Sequence, residues 1–313
     1  MRSELTIGPI LFHWPAEQKR DFYFKLADEA PVDRVYLGEV VCSKRIPCFE
    51  NYYPEVIERL QCSGIQVVLS SLAEVMTRHD RQCVEGLCAS DDLLIEANDA
   101  AALFQLTGRR HAIGPYFNVY NEDTLAFLAG KGTAHVTLAP ELPATTIATL
   151  GRKAQELGIS LEVQVYGRIP LALSARCYHA RAHGRVKDSC QYVCEEDPDG
   201  MVLRTLTDKP FLAINGIQTL SYSCLNLVHE LAELETAGVS AFRLSPHHHD
   251  MARTARLYRN VLDHVITPHE ACTELQTTGL DAPFANGFYY RQPGVNWIEN
   301  DSSRTSVSPP SNR

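Results

Sequence analysis

Short runs of apolar, largely β-branched residues recur along the chain, each followed by a stretch long enough for one helix. The runs are "LTIGPILF" (5 to 12), "RVYLGEVV" (34 to 41), "IQVVLSSL" (65 to 72), "LLIEAND" (93 to 99), "AIGPYFNV" (112 to 119), "HVTLAP" (135 to 140) and "LEVQVYG" (161 to 167). Near-continuous apolar runs of this length predict strands covered on both faces, as in a parallel sheet. Between them, "EQKRDFYFKLADEA" (17 to 30), "YPEVIERLQCSG" (53 to 64) and "NEDTLAFLAGKG" (121 to 132) read as helices, the last opening on an asparagine cap and closing on glycine. So many strand and helix units in series predict an α/β fold, a (β/α) TIM-like barrel that tolerates some distortion, rather than a doubly wound sheet. No Gly-x-Gly-x-x-Gly turn follows the first strand, which weakens a dinucleotide fold. Two later runs, "PFLAINGIQTL" (210 to 220) and "VSAFRLSP" (239 to 246), separated by a helical pattern through "LNLVHELAELETAG", are expected to complete the barrel. The expected organisation is one barrel-like domain over residues 1–298, carrying a cysteine-rich loop after the seventh strand, and a disordered tail rich in Ser and Pro over residues 299–313.

Composition narrows the function. At 313 residues, 45% hydrophobic and 21% charged, the chain buries a full core without covalent staples. No apolar run reaches the ~18 residues of a membrane-spanning helix, and the first apolar stretch is interrupted by His13 and Pro15, so a cytoplasmic protein is expected. A net charge of -9 argues against general nucleic-acid binding, while leaving room for a local basic site. In a reducing compartment, ten cysteines point away from a disulfide framework and toward metal or redox chemistry wherever thiols cluster.

They cluster in "SARCYHARAHGRVKDSCQYVC", where Cys177, Cys190 and Cys194 share a short basic stretch. Three thiols leave a tetrahedral set one ligand short. Cys42 is the candidate for the fourth, because "VYLGEVVCSKR" places it just past the carboxyl end of the second strand, on the barrel face where active sites are built. The loop after the seventh strand emerges on that same face. Such a shell suits an iron–sulfur cluster, with Arg176, Arg181, Arg185, Lys187, Lys44 and Arg45 supplying positive charge around it. A four-cysteine zinc site uses the same ligands, and spacing alone leaves the two alternatives open. Cys48, Cys62, Cys224 and Cys272 read as small buried hydrophobes. Cys83 and Cys88 form a pair too small to make a metal site. Among polar residues at strand ends, Glu39, Glu96, Asp99, Asn118 and Asn121 are candidates to line a pocket, with Asn121 also suited to capping the helix after it. The run "SPHHHD" (245 to 250), containing His247 to His249, reads as a solvated loop.

"YLGEVVCSKR", "LLIEANDA", "YGRIPLALSARC" with Cys190 and Cys194 after it, "INGIQT" and "FRLSP" resemble the ubiquinone-biosynthesis branch of the collagenase-like peptidase superfamily, over about residues 5 to 295. The resemblance implies a 4Fe-4S cluster on Cys42, Cys177, Cys190 and Cys194. It also implies a heterodimer with a UbiU-like sister subunit, a UbiT-like lipid-binding accessory protein, and oxygen-independent hydroxylation of the ring of a ubiquinone precursor with prephenate as oxygen donor. The catalytic residues stay unassigned. The superfamily also contains RNA-hydroxylating and peptidase-like members, and a noncatalytic subunit with a structural metal fits the same cysteines. Neither His-Glu-x-x-His nor Gly-x-Ser-x-Gly is present, which ranks peptidase chemistry low. The histidine run and the polar tail depart from the branch.

Overall fold

A computed structural model describes residues 2–278 and 281–299. Eight parallel strands close on themselves: β1 (Glu4–Ile7), β2 (Arg34–Leu37), β3 (Gln66–Ser70), β4 (Leu94–Ala97), β5 (His111–Ile113), β6 (Thr133–Thr137), the first half of β7 (Ser160–Leu173) and, near the end of the chain, β11 (Ala241–Leu244). Strand β11 closes the ring by pairing β7 on one side, Ala241 opposite Glu162, and β1 on the other, Glu4 opposite Ala241. The sheet carries the TIM-like barrel that the strand and helix alternation predicts. An outer layer contains α1 (Ala16–Glu29), α2 (Ile46–Phe49), α3 (Tyr53–Cys62), α4 (Arg78–Cys88), α5 (Ala100–Leu106), α6 (Glu122–Ala129) and α7 (Ala144–Leu157). After β7 come α8 (Tyr178–Ala182), β8 (Met201–Arg204), β9 (Pro210–Asn215) and β10 (Gln218–Asn226), then α9 (Leu231–Thr236), α10 (Met251–Leu262), α11 (Pro268–Leu275) and β12 (Phe284–Ala285). None of the helices among the described residues is long and apolar enough to cross a membrane. Of the expected tail, residues 300–313 lie outside the described residues.

The run 210–220 is not a barrel strand. It splits at Asn215-Gly216 into β9 and β10, which pair antiparallel with Gln218 opposite Asn215, and β10 extends the outer half of β7, again antiparallel. Gly216 adopts φ +61° at the first position of a two-residue loop. Asn-Gly between apolar runs is a strong hairpin signal, and a left-handed residue there lets the turn match the twist of the strands. The excursion stands over one side of the barrel mouth, above the point where β2 ends.

The barrel interior is polar and charged at its centre. Arg243 on β11 donates from Nε to Glu162 Oε2 (2.7 Å) and from Nη2 to Glu96 Oε1 (2.6 Å), with its guanidinium 3.9 Å from the centroid of the Tyr36 ring. The Thr6 and Thr137 hydroxyls donate to Glu162, and Ser70 donates to Glu96. Burial would raise the Glu162 carboxyl, but Arg243 outweighs it and holds the group well below the ordinary carboxylate range. Six strands are thereby tied through one guanidinium and two carboxylates, with the apolar core packed between this centre and the helices.

A second buried carboxylate has the opposite character. Glu230, between β10 and α9, accepts from Tyr290 Oη (2.8 Å) and Asn286 Nδ2 (3.3 Å) on one oxygen, while the other has no partner among the described residues. Burial raises its pKa from 4.5 to about 7. A carboxyl with a raised folded pKa takes up a proton on folding, so its penalty is absent below pH ~4.5, grows as pH rises and levels off above ~7. Glu230→Gln removes that penalty. In urea unfolding, the stability of the variant relative to wild type is expected to rise by about 3 kcal/mol from pH 4.5 to pH 8, from ~1.4 kcal/mol per pKa unit. An equal difference at both pH values would show an ordinary, already ionised carboxylate.

Candidate metal-binding site at the barrel mouth

The site starts where β2 stops. Gly38 has φ +135°, and a Cβ there would stand 2.3 Å from the Ser70 carbonyl oxygen, so only glycine lets the chain turn off the strand against β3. The turn delivers Glu39 and, three residues later, Cys42. One Glu39 oxygen accepts from both the Val41 and Cys42 amides (3.0 Å each), which fixes the local backbone carrying the thiol. Arg45, 3% exposed, is the keystone. It donates to the Leu11 carbonyl (2.9 Å) and to Asn215 Oδ1 (2.9 Å), lies 3.8 Å from Glu39 and reaches the sulfur of Cys194. A single guanidinium thus joins the loops after β1 and β2, the β9–β10 turn and the cysteine loop. A Cβ at Gly216 would come within 3.0 Å of the Arg45 guanidinium, which gives that glycine a second reason.

The cysteine loop is pinned to the same place. Cys177 caps α8, its sulfur accepting from the Ala180 amide (3.4 Å). Gln191 (φ +50°) and Tyr192 (φ +53°) are both left-handed, and this tight reversal brings Cys190 and Cys194 to one side of the loop. Lys44 donates to the Lys187 and Asp188 carbonyls (2.8 and 2.9 Å), and the Tyr192 hydroxyl donates to the Lys44 carbonyl (3.1 Å). Cys42, Cys177, Cys190 and Cys194 consequently line one small cavity, together with Lys44, Arg45 and Lys187. All four thiols are free of disulfides. Burial raises the Cys42 and Cys194 thiols, opposed in both by Arg45, so a metal bound there would have to displace their protons.

The donor set fits a soft, negatively charged group: four thiols, three cations and no carboxylate at the cavity wall. A single zinc ion would use the same four thiols. Among the described residues potential ligand atoms also gather within 4.8 Å of one another at His179, His183 and Asp197. That trio is held by an ordinary contact, His179 Nε2 to Asp197 Oδ2 at 2.8 Å, with the two imidazoles stacked.

The remaining candidates separate. Glu39 buttresses Cys42, and Glu96 belongs to the barrel centre. Asp99 and Asn121 are helix caps, accepting from the Ala101 (2.7 Å) and Thr124 (2.8 Å) amides, and Asn118 is an exposed left-handed residue. Cys224 and Cys272 are buried as expected. Cys48 is only half-buried and meets the Tyr192 hydroxyl. Cys62 is exposed: α3 buries Val56 and Leu60, and two residues beyond Leu60 the helix has turned to the opposite face. The histidine run is not a solvated loop throughout. His247 is 1% exposed, accepts from the Arg168 amide (3.0 Å) at Nε2 and meets Asp199 (3.0 Å) at Nδ1, latching the end of the cysteine loop to the barrel. Sequence reasoning missed Arg45 as organiser, Asn215 and Asp199. The Asn-Gly turn was the available signal for the second, and the other two had none.

The family described as Peptidase family U32 matches residues 23–299. Among solved structures, Xanthomonas albilineans dihydropteroate synthase in complex with indole-2-carboxylic acid and 6-chloroguanine is similar at 12% identity over 85% of this chain and 94% of its own, with a TM-score of 0.44. The tryptophan synthase complex from Pyrococcus furiosus is 13% identical over 89% of this chain and 97% of its own, with a TM-score of 0.38. The Bacillus cereus spore cortex-lytic enzyme SleL is 8% identical over 82% and 74%, with a TM-score of 0.41.

Proposed function

The chain belongs to peptidase family U32, and from that premise we propose that it is a UbiV-like iron–sulfur subunit of an oxygen-independent hydroxylase acting on the ring of a ubiquinone precursor. The observation that carries the reading is the meeting of Cys42 with Cys177, Cys190 and Cys194 around one cavity at the carboxyl ends of the barrel strands. The four thiolates would hold a 4Fe-4S cluster, which when bound supplies one-electron chemistry. Arg45 and Lys44 set positive charge against the ligand sulfurs, Glu39 holds the Cys42 amide, and the β9–β10 turn covers one side of the site. A UbiU-like sister subunit, a UbiT-like lipid-binding accessory protein and prephenate as oxygen donor complete the proposed system.

The test is made in a bacterium that makes ubiquinone without oxygen and lacks its own corresponding subunit. Wild type and Cys62→Ala are expected to restore anaerobic ubiquinone, whereas Cys177→Ala, one thiolate short, restores less than about a tenth. Restoration by Cys177→Ala, or none by a soluble wild type beside its sister subunit, would sink the reading.

A further inference from the structure

Beside the cysteine cavity lies a second, wider one of about 410 Å³, lined by Arg176, Arg181, Arg185, Lys187 and Cys177. From Ser174 to Lys187 the chain has these four cations and no carboxylate, in a protein whose net charge is -9. Among the described residues none of the four forms an ion pair, although Arg20, Arg59, Arg109, Arg243 and Arg259 all do. Arg185 donates to the Cys190 carbonyl (3.1 Å), so one edge of the cavity is anchored to the loop that carries the thiols. The nearest acid in sequence, Asp188, is exposed, and Lys44 on its carbonyl adds a further positive charge behind the wall.

We propose that this cavity binds a small anion carrying two or more negative charges, a polycarboxylate or a phosphorylated compound, and holds it against Cys177. Concentrated charge of one sign in a concave site raises the local concentration of the opposite sign, and guanidinium forks bind carboxylate or phosphate in pairs. The volume falls in the ordinary range for small-ligand sites. A nucleic acid is disfavoured: the cations surround one cavity instead of forming a stripe, and the rest of the acidic chain repels a phosphate backbone. The proposal extends the reading of the cysteine site, and its test keeps the two apart.

Malonate, citrate and inorganic phosphate are titrated calorimetrically into the full-length protein, purified without oxygen, with iron and acid-labile sulfide determined on the same samples. One polyvalent anion per chain is expected, the preferred probe separating carboxylate from phosphate chemistry. Arg176→Gln/Arg181→Gln weakens binding about tenfold or more, while Arg152→Gln/Lys153→Gln, the same charge change on α7, leaves it unaltered. Arg176→Lys/Arg181→Lys, which keeps the charge around the thiols but loses the forks, gives an intermediate affinity and decides the matter if the glutamine variant loses iron. Unchanged binding in both double variants overturns the proposal, as does a single-stranded oligonucleotide that binds more tightly the longer it is. Iron and sulfide without anion binding would remove the anion site and leave the cluster reading standing. Anion binding without iron would do the reverse.

Discussion

Replacing Arg243 with methionine is expected to cost about 3–5 kcal/mol of folding stability, the range for breaking a buried ion pair from one side. The variant keeps the volume of the side chain and strands Glu96 and Glu162, both 0% exposed, without their cation. Hydroxyls from Thr6, Thr137 and Ser70 remain, but neutral donors compensate only part of the burial of two carboxylates. In a domain whose total stability is of order 5–15 kcal/mol, the loss leaves little margin. Urea unfolding reads it as a lower midpoint with the slope preserved. Adding Glu96→Gln to the variant should recover part of the loss, because one stranded charge is then gone. A shift below about 1 kcal/mol would show that the barrel centre takes up protons at little cost.

Arg45→Met is expected to have the largest effect on the site itself. It removes the donor to Leu11, Asn215 and Cys194 and leaves Glu39 buried. Lys19, also buried beside Glu39, remains as a cation, which places the cost near the low end, about 3 kcal/mol. The more telling readout is local. Without Arg45 the β9–β10 turn and the cysteine loop lose their common tie to β2, so proteolysis between residues 174 and 200 should quicken more than global stability explains. Equal protection of that loop in the variant would show that Lys44 and Tyr192 suffice to hold it.

Much of the barrel was legible because its strands are covered on both faces, so apolar runs such as 65–72 and 161–167 announce themselves without reference to neighbours. Their ends were less legible. The run 34–41 stops at Leu37 because Gly38 must turn there, and that requirement comes from the Ser70 carbonyl on the adjacent strand. Within the run 210–220 the Asn-Gly step carries more information than the apolar residues on either side of it. At the site, Cys42 was reachable from one rule, that residues just past the carboxyl end of a barrel strand face the mouth. Arg45 was legible only as positive charge beside the thiols: its contacts with Leu11, Asn215 and Cys194 arise once the cysteine loop and the β9–β10 turn close over it. His247 escaped for the same reason, since Asp199 and the Arg168 amide that satisfy it lie far away in sequence.

The central claim is that four thiols from two distant segments hold one iron–sulfur cluster. Its most direct test is the content of iron, acid-labile sulfide and zinc per chain, in protein purified without oxygen, for wild type and Cys42→Ala. The account predicts iron and sulfide near four each in wild type, as a cubane cluster on four thiolates requires, and their loss in the variant. About one zinc per chain and no sulfide would contradict it, and would make the cysteine loop a structural clasp.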